Sequence, residues 1–315
     1  MQFTTKIPIE KFQNQITYES KILSLGSCFA ENMSAKFDYF KFQNTTNPFG
    51  IIFNPVSIEK LVNRIVHQIE FTEKDIFFHN DLWHCYEVHS ELSNPDKEIF
   101  LNRLNQIVAS THRQIASLTH CIITLGTSWV YRNNDSGAIV ANCHKVPQKQ
   151  FTKELLSVED IKNSITNIVA LVHQINKKVH FIFTVSPVRH IKDGFVENSL
   201  SKAHLISALQ TSIFQLPSSS YFPSYEILLD ELRDYRFYAE DMLHPNAIAI
   251  QYIWQRFKEN VISEGAFQTM DEIETIQKAL AHKPFNPTSE SHLKFIENTQ
   301  RKISTLQLKI PLIKF

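Results

Sequence analysis

Three short apolar runs govern what this chain can become: Lys21–Leu25 (KILSL), Cys121–Leu125 (CIITL) and Val179–Val185 (VHFIFTV). Each is near-continuous rather than alternating, and each is followed by a helical pattern. Strands of that kind are buried on both faces, as in a parallel sheet with helices packed against it. The expected class is therefore α/β. The first two runs end on Gly26 and Gly126, the third on Ser186-Pro187. Ligands of parallel sheets bind in the crevice outside the carboxyl ends of the strands, so these three points are where a site is expected.

Apolar spacing predicts helices over Phe29–Tyr39, Ser57–Ile69, Pro95–Leu118, Ser157–Ile175, Asn198–Leu216 and Pro245–Val261. Hairpins are expected at Asp75–Glu91, around Asn80-Asp81, and at Trp129–Val140, around Asn133–Gly137. Asn44–Pro55 reads as turn, and Tyr221–Phe222 as a short last strand. Two further helices, Asp271–His282 and Ser289–Leu306, follow Gly265. The division expected is a main domain over 1–263 and a helical appendage over 264–315, packing on it.

Charge narrows the partners. Lys+Arg and Asp+Glu number 32 each, so the chain lacks the basic excess of a nucleic-acid binder. No apolar run approaches the roughly 18 residues of a membrane span, and residues 1–15 lack the apolar core of a signal peptide. A cytoplasmic protein with its four cysteines as reduced thiols is expected. His79, His84, Cys85 and His89 lie close in sequence, but without zinc-ligand spacing, so no metal is expected.

Two motifs carry chemistry. In Gly26-Ser27-Cys28-Phe29-Ala30, a tight strand-to-helix turn puts a nucleophile at a helix N-terminus, where free N–H groups and the helix dipole stabilise negative charge. In Asp241-Met242-Leu243-His244-Pro245, a carboxylate three residues before an imidazole can fix its tautomer and leave it as base. Arg189 and Arg236 flank these motifs as candidate holders of an anionic group.

Together these motifs are similar to those of the GSCFA family, within the SGNH (GDSL-like) hydrolase superfamily. The likeness runs through Asn47-Pro48-Phe49-Gly50, Phe53-Asn54-Pro55, Thr124–Trp129, Asn142-Cys143-His144, Thr184–Pro187, Tyr221–Glu226 and Asp241–Pro245. The resemblance implies a three-layer α/β/α sandwich and a site with esterase, deacetylase or acyltransferase chemistry on a small-molecule or carbohydrate acyl ester. Hydrolysis needs no cofactor; transfer needs an acyl-CoA donor.

The superfamily's first block, Gly-x-Ser, puts Cys28 at the nucleophile position, with Ser27 as the alternative one residue earlier. His244 would take the nucleophile's proton and return it to the leaving alcohol, with Asp241 orienting it. Gly50 matches the second-block oxyanion glycine. The third block, Gly-x-Asn, reads Gly126-Thr127-Ser128, so Ser128 replaces the usual Asn donor, with Asn54 or Asn142 as substitutes and His144 as a supporting residue. A catalytically silent carbohydrate-binding or scaffolding protein on the same fold is the competing expectation, motivated by that missing Asn.

Overall fold

The first apolar run forms β1 (Lys21–Gly26), which passes through Ser27 into α1 (Cys28–Tyr39). The structure, a computed structural model, describes residues 4–315. β2 (Gln43–Thr46) and α2 (Pro55–His67) come next, then a hairpin of β3 (Phe77–His79) and β4 (Leu82–His84). After α3 (Lys97–Ile115) comes β5 (His120–Leu125), then β6 (Trp129–Asn133), β7 (Ile139–Val140) and β8 (Phe151–Leu155). α4 (Val158–Ile175), β9 (His180–Val185), α5 (Phe195–Ile213) and β10 (Ser219–Tyr221) follow. A short α6 (Ser224–Glu226) runs into a π-helical turn, Ile227–Leu232. The chain finishes with α7 (Ala247–Val261), α8 (Phe267–Leu280) and α9 (Glu290–Lys309).

The central sheet has five parallel strands in the order β10-β9-β5-β1-β2. Its side chains alternate between two cores. Leu23, Cys121, Ile123, Phe181 and Phe183 face α2, α3, α4 and α5, while Ile22, Ile122 and Ile182 face α1 and α7. A sheet buried on both faces between two helical layers is the three-layer α/β/α sandwich. The second core also takes in Met270, Ile273 and Ile276 of α8 and Ile303 and Leu306 of α9. Among the described residues, no helix is long and apolar enough to cross a membrane. All four cysteines are free.

Two strands lie where the apolar pattern predicts none. β2 (QNTT) is an edge strand whose residues are all half-buried, so it needs no apolar run. β8 pairs antiparallel with β6, making a three-stranded sheet with β7 instead of a lone hairpin. The β3–β4 turn fits expectation: Asn80 and Asp81 both take positive φ (47° and 61°), as a tight hairpin turn requires.

Register brings the strand ends together. Gly26 pairs with Thr124, and Thr124 with Thr184. Gly26 has φ +135°, and a Cβ there would lie 2.1 Å from the Thr124 carbonyl oxygen. Only glycine lets β1 turn into α1 this close to β5.

Candidate active site

Ser27 and Cys28 part ways at the start of α1. Ser27 is the N-cap: its Oγ accepts the Phe29 N–H at 3.2 Å, its own N–H donates to the Thr124 carbonyl at 3.1 Å, and the residue is buried. Cys28 is the first helical residue and stays half-buried, so its thiol is the accessible one of the two. The helix N-terminus does not make that thiol acidic. Burial, and then the Glu31 carboxylate in the first turn, push it up; the Phe29 and Cys28 N–H groups and the Lys202 ammonium pull it down by less.

The Asp-x-x-His motif closes on itself. Asp241 Oδ1 accepts the backbone N–H groups of Leu243 (2.9 Å) and His244 (3.0 Å), and Oδ2 meets His244 Nδ1 at 2.6 Å. Met242 takes φ +57° to make the turn. Those bonds to His244 and Leu243 hold the Asp241 carboxyl at about 2. The pair is open to solvent, each side chain nearly half exposed. Arg189 braces the loop: its backbone N–H donates to the Leu243 carbonyl at 3.1 Å and its guanidinium to the Met242 carbonyl at 3.3 Å. The same guanidinium stacks on Phe195, Tyr235 and Tyr238.

The model of the GSCFA family matches residues 21–257, which span both motifs. The chain belongs to the GSCFA family. A second model, the GSCFA domain protein C-terminal domain, matches residues 273–315, the stretch of α8 and α9. No curated protein matches the chain.

The oxyanion donors expected for this GSCFA protein are occupied by the fold. The Gly50 N–H donates to the Asn47 carbonyl at 2.7 Å, and the Gly126 N–H to the Phe53 carbonyl at 2.8 Å. Gly50 is needed for space: at φ +77°, a Cβ would meet His89 Cβ at 2.3 Å. Ser128 is fully buried and faces α5, its N–H donating to Ser201 Oγ at 2.8 Å and its hydroxyl to the Ser201 carbonyl at 3.1 Å. Asn54 caps α2, its Oδ1 accepting the Ser57 N–H at 2.8 Å, which leaves its amide N–H groups as remaining donors.

Other expected residues have other partners. Asn142 Oδ1 accepts the His144 N–H at 2.8 Å, and His144 Nε2 meets the Cys85 carbonyl at 2.7 Å. The His144 ring lies 4.7 Å from that of His84, so it belongs to the hairpin cluster; burial lowers it to about 4. Arg236 is exposed and paired with Asp234 at 3.0 Å. Among the described residues, no group of three or more His, Cys, Asp or Glu side chains is arranged to hold a metal ion.

Two residues at the strand ends escape the motif reading. Lys202 of α5 is 1% exposed, and its Nζ donates to the carbonyls of Gly126 (2.6 Å) and Ser186 (2.7 Å), at the ends of β5 and β9. Burial lowers it to about 7, with the Cys28 charge acting the other way. Its signal was in the sequence: Asn198, Lys202, Leu205 and Leu209 form one buried helical stripe, with a lysine inside it. His190 has a buried Nε2 without a partner among the described residues, and its ring is 5.4 Å from Phe53. Burial, then the charges of Lys202 and His244, lower it to about 3, so it is neutral at pH 7.

Proposed function

We propose that this protein is an acyl-ester hydrolase or acyltransferase of the SGNH type, with Cys28 as nucleophile and Asp241–His244 as its acid–base pair. The 2.6 Å contact between Asp241 Oδ2 and His244 Nδ1 carries the reading. A carboxylate there keeps the proton on Nδ1 and leaves Nε2 with a lone pair, the tautomer a general base needs.

Cys28 Sγ attacks the acyl carbonyl carbon while its proton passes to His244 Nε2. The tetrahedral oxyanion is held by the Cys28 backbone N–H, with the Asn54 amide as second donor. Collapse breaks the ester C–O bond, and His244 returns the proton to the departing alcohol. Water then resolves the thioester in hydrolysis; in transfer from an acyl-CoA the bond broken in the first step is the donor's C–S bond, the proton goes to the departing CoA thiol, and an acceptor hydroxyl resolves the thioester. A carbohydrate-borne acetyl group suits the superfamily reading.

One observation favours a second reading, a silent carbohydrate-binding or scaffolding protein: the N–H groups of Gly50 and Gly126 and the Ser128 hydroxyl are all spent. One experiment separates the two. Incubate wild type, Cys28→Ala, Ser27→Ala and His244→Ala with p-nitrophenyl acetate and weigh the protein. The enzyme reading expects an acetyl group on the Cys28 peptide, absent in Cys28→Ala and slow to form in His244→Ala. No ester cleavage and no acyl adduct in the wild type leaves the silent reading standing.

A further inference from the structure

Arg189 stands beside the Asp241–His244 pair with its charge uncompensated. It is half-buried in the loop after β9. Its guanidinium makes one hydrogen bond within the chain, to the Met242 carbonyl at 3.3 Å, which leaves four of its five N–H donors without a partner among the described residues. Among those residues no carboxylate pairs with it either. The acids on the surrounding elements are engaged elsewhere: Asp241 with His244, Asp234 with Arg236, Asp193 with Lys153. Glu197, in the first turn of α5, folds back against Gly194.

The rings around this cation are open. The ring centres of Phe195, Tyr235 and Tyr238 lie 5.4, 5.7 and 5.5 Å from the guanidinium carbon. Phe195, the first residue of α5, is 62% exposed, Tyr235 63% and Met242 46%. Large apolar side chains gathered in the open around one cation mark an interaction site.

Backbone bonds fix this surface to His244. The His244 carbonyl accepts the Ala239 N–H at 2.8 Å, and the Asn246 N–H donates to the Phe237 carbonyl at 2.9 Å, so the turn bearing Tyr235 and Tyr238 moves with the imidazole. In the acyl-ester reading His244 hands a proton to the departing alcohol. What surrounds it therefore meets the alcohol part of an ester, while the start of α1 meets the acyl part.

We propose that Arg189, Phe195, Tyr235 and Tyr238 form the subsite for the alcohol part of the substrate, and that this alcohol is a ring bearing a carboxylate or phosphate, as in an acylated anionic sugar. The planar guanidinium fork matches the anion, and the exposed aromatic faces take the apolar face of the ring. This rests on the acyl-ester reading and names its substrate class.

The test compares three acetates that differ in leaving-group charge: meta-acetoxybenzoate, its methyl ester, and meta-trimethylammonio-phenyl acetate. Acetate release gives kcat/KM for wild type, Arg189→Met and Arg189→Lys, each value divided by that ester's rate with hydroxide. Wild type should favour the carboxylate and disfavour the cation. Arg189→Met should cut the preference for carboxylate over methyl ester by about tenfold or more, the worth of hydrogen bonds to a charged group, and Arg189→Lys should keep part of it. Loss of loop bracing alone would slow all three esters alike; an unmoved ratio overturns the proposal. Binding is read separately by saturation-transfer NMR with glucuronate, glucose-6-phosphate and glucose. The anions should bind better than glucose, Arg189→Met should erase the difference, and the stronger anion tells carboxylate from phosphate. Wild type that treats charged and neutral probes alike overturns the proposal, and does so alone if neither variant folds. Anion binding that depends on Arg189, without turnover of any ester, would sink the enzyme reading and leave the subsite standing.

Discussion

Ser201 holds Ser128 at both ends, taking its N–H on Oγ at 2.8 Å and its hydroxyl on the carbonyl oxygen at 3.1 Å. A hydroxyl so engaged has no proton left for a substrate oxyanion. Ser128→Ala should therefore change ester turnover by less than about threefold, where loss of a true oxyanion donor costs roughly 10²–10³ in kcat. Stability should fall by about 1 kcal/mol for the lost buried hydrogen bond. Steady-state kinetics and urea unfolding on one preparation check both numbers.

Asp241 fixes one tautomer of His244, and asparagine cannot. Asp241→Asn should lower turnover of p-nitrophenyl acetate by roughly 10²–10⁴, the range general acid–base catalysis supplies. The wild-type carboxyl is held at about 2, so it is ionised throughout the range above pH 4. Its depressed value contributes to folding above its ordinary 3.8 and is lost only as pH falls toward 2. A fall in activity between pH 5 and 8 must then come from another group, and the Asn variant should keep that fall while losing overall rate.

Gly26 and Gly137 both take positive φ, but only one is crowded. At Gly26 a Cβ would meet Thr124 backbone atoms at 2.1–2.9 Å; at Gly137 nothing lies within 4 Å. Gly137→Ala should cost only the backbone strain of a left-handed residue, about 1 kcal/mol. Gly26→Ala adds a clash with a neighbouring strand and should cost more than about 3 kcal/mol, or fail to fold. Denaturant midpoints of the two variants test the ordering.

Lys202 makes stability depend on pH in a known direction. Its folded value is about 7 and its ordinary value 10.5. Between those limits the unfolded chain binds the extra proton, so this residue makes stability rise with pH, by about 1.4 kcal/mol per unit at most. Below pH 7 the full penalty of the buried ammonium applies. The difference in unfolding free energy between Lys202→Met and wild type should be largest near pH 6 and shrink steadily toward pH 10. A difference flat across that range would mean that the amine titrates normally.

The core strands were legible because burial on both faces writes itself as apolar runs: KILSL, CIITL and HFIFTV became β1, β5 and β9. β2 was not, because an edge strand of half-buried Gln, Asn and Thr has no such imprint. The Asp241–His244 contact was readable, since three residues of loop carry it entirely. Donors are harder. Whether the Gly50 N–H or the Ser128 hydroxyl is free depends on what Asn47 and Ser201 do in three dimensions, and residue type alone does not say. Lys202 was hidden for the opposite reason: lysine on a helix reads as a solvated side chain unless the stripe on either side of it is checked.

α1 begins at Cys28 and ends at Tyr39, and its last carbonyl accepts the Gln277 side chain of α8 at 2.9 Å. Its inner face, Phe29, Met33 and Phe37, shares one core with Trp254 of α7, Met270 of α8 and Ile303 of α9. The two stretches matched by separate family models thus both meet α1, through Trp254 on Phe37 in the first and Gln277 on the Tyr39 carbonyl in the second. Shortening the chain at Val261 would uncover the back of the very helix that presents the thiol. The closing segment is a buttress, and its removal should be felt first as wobble at the far end of α1.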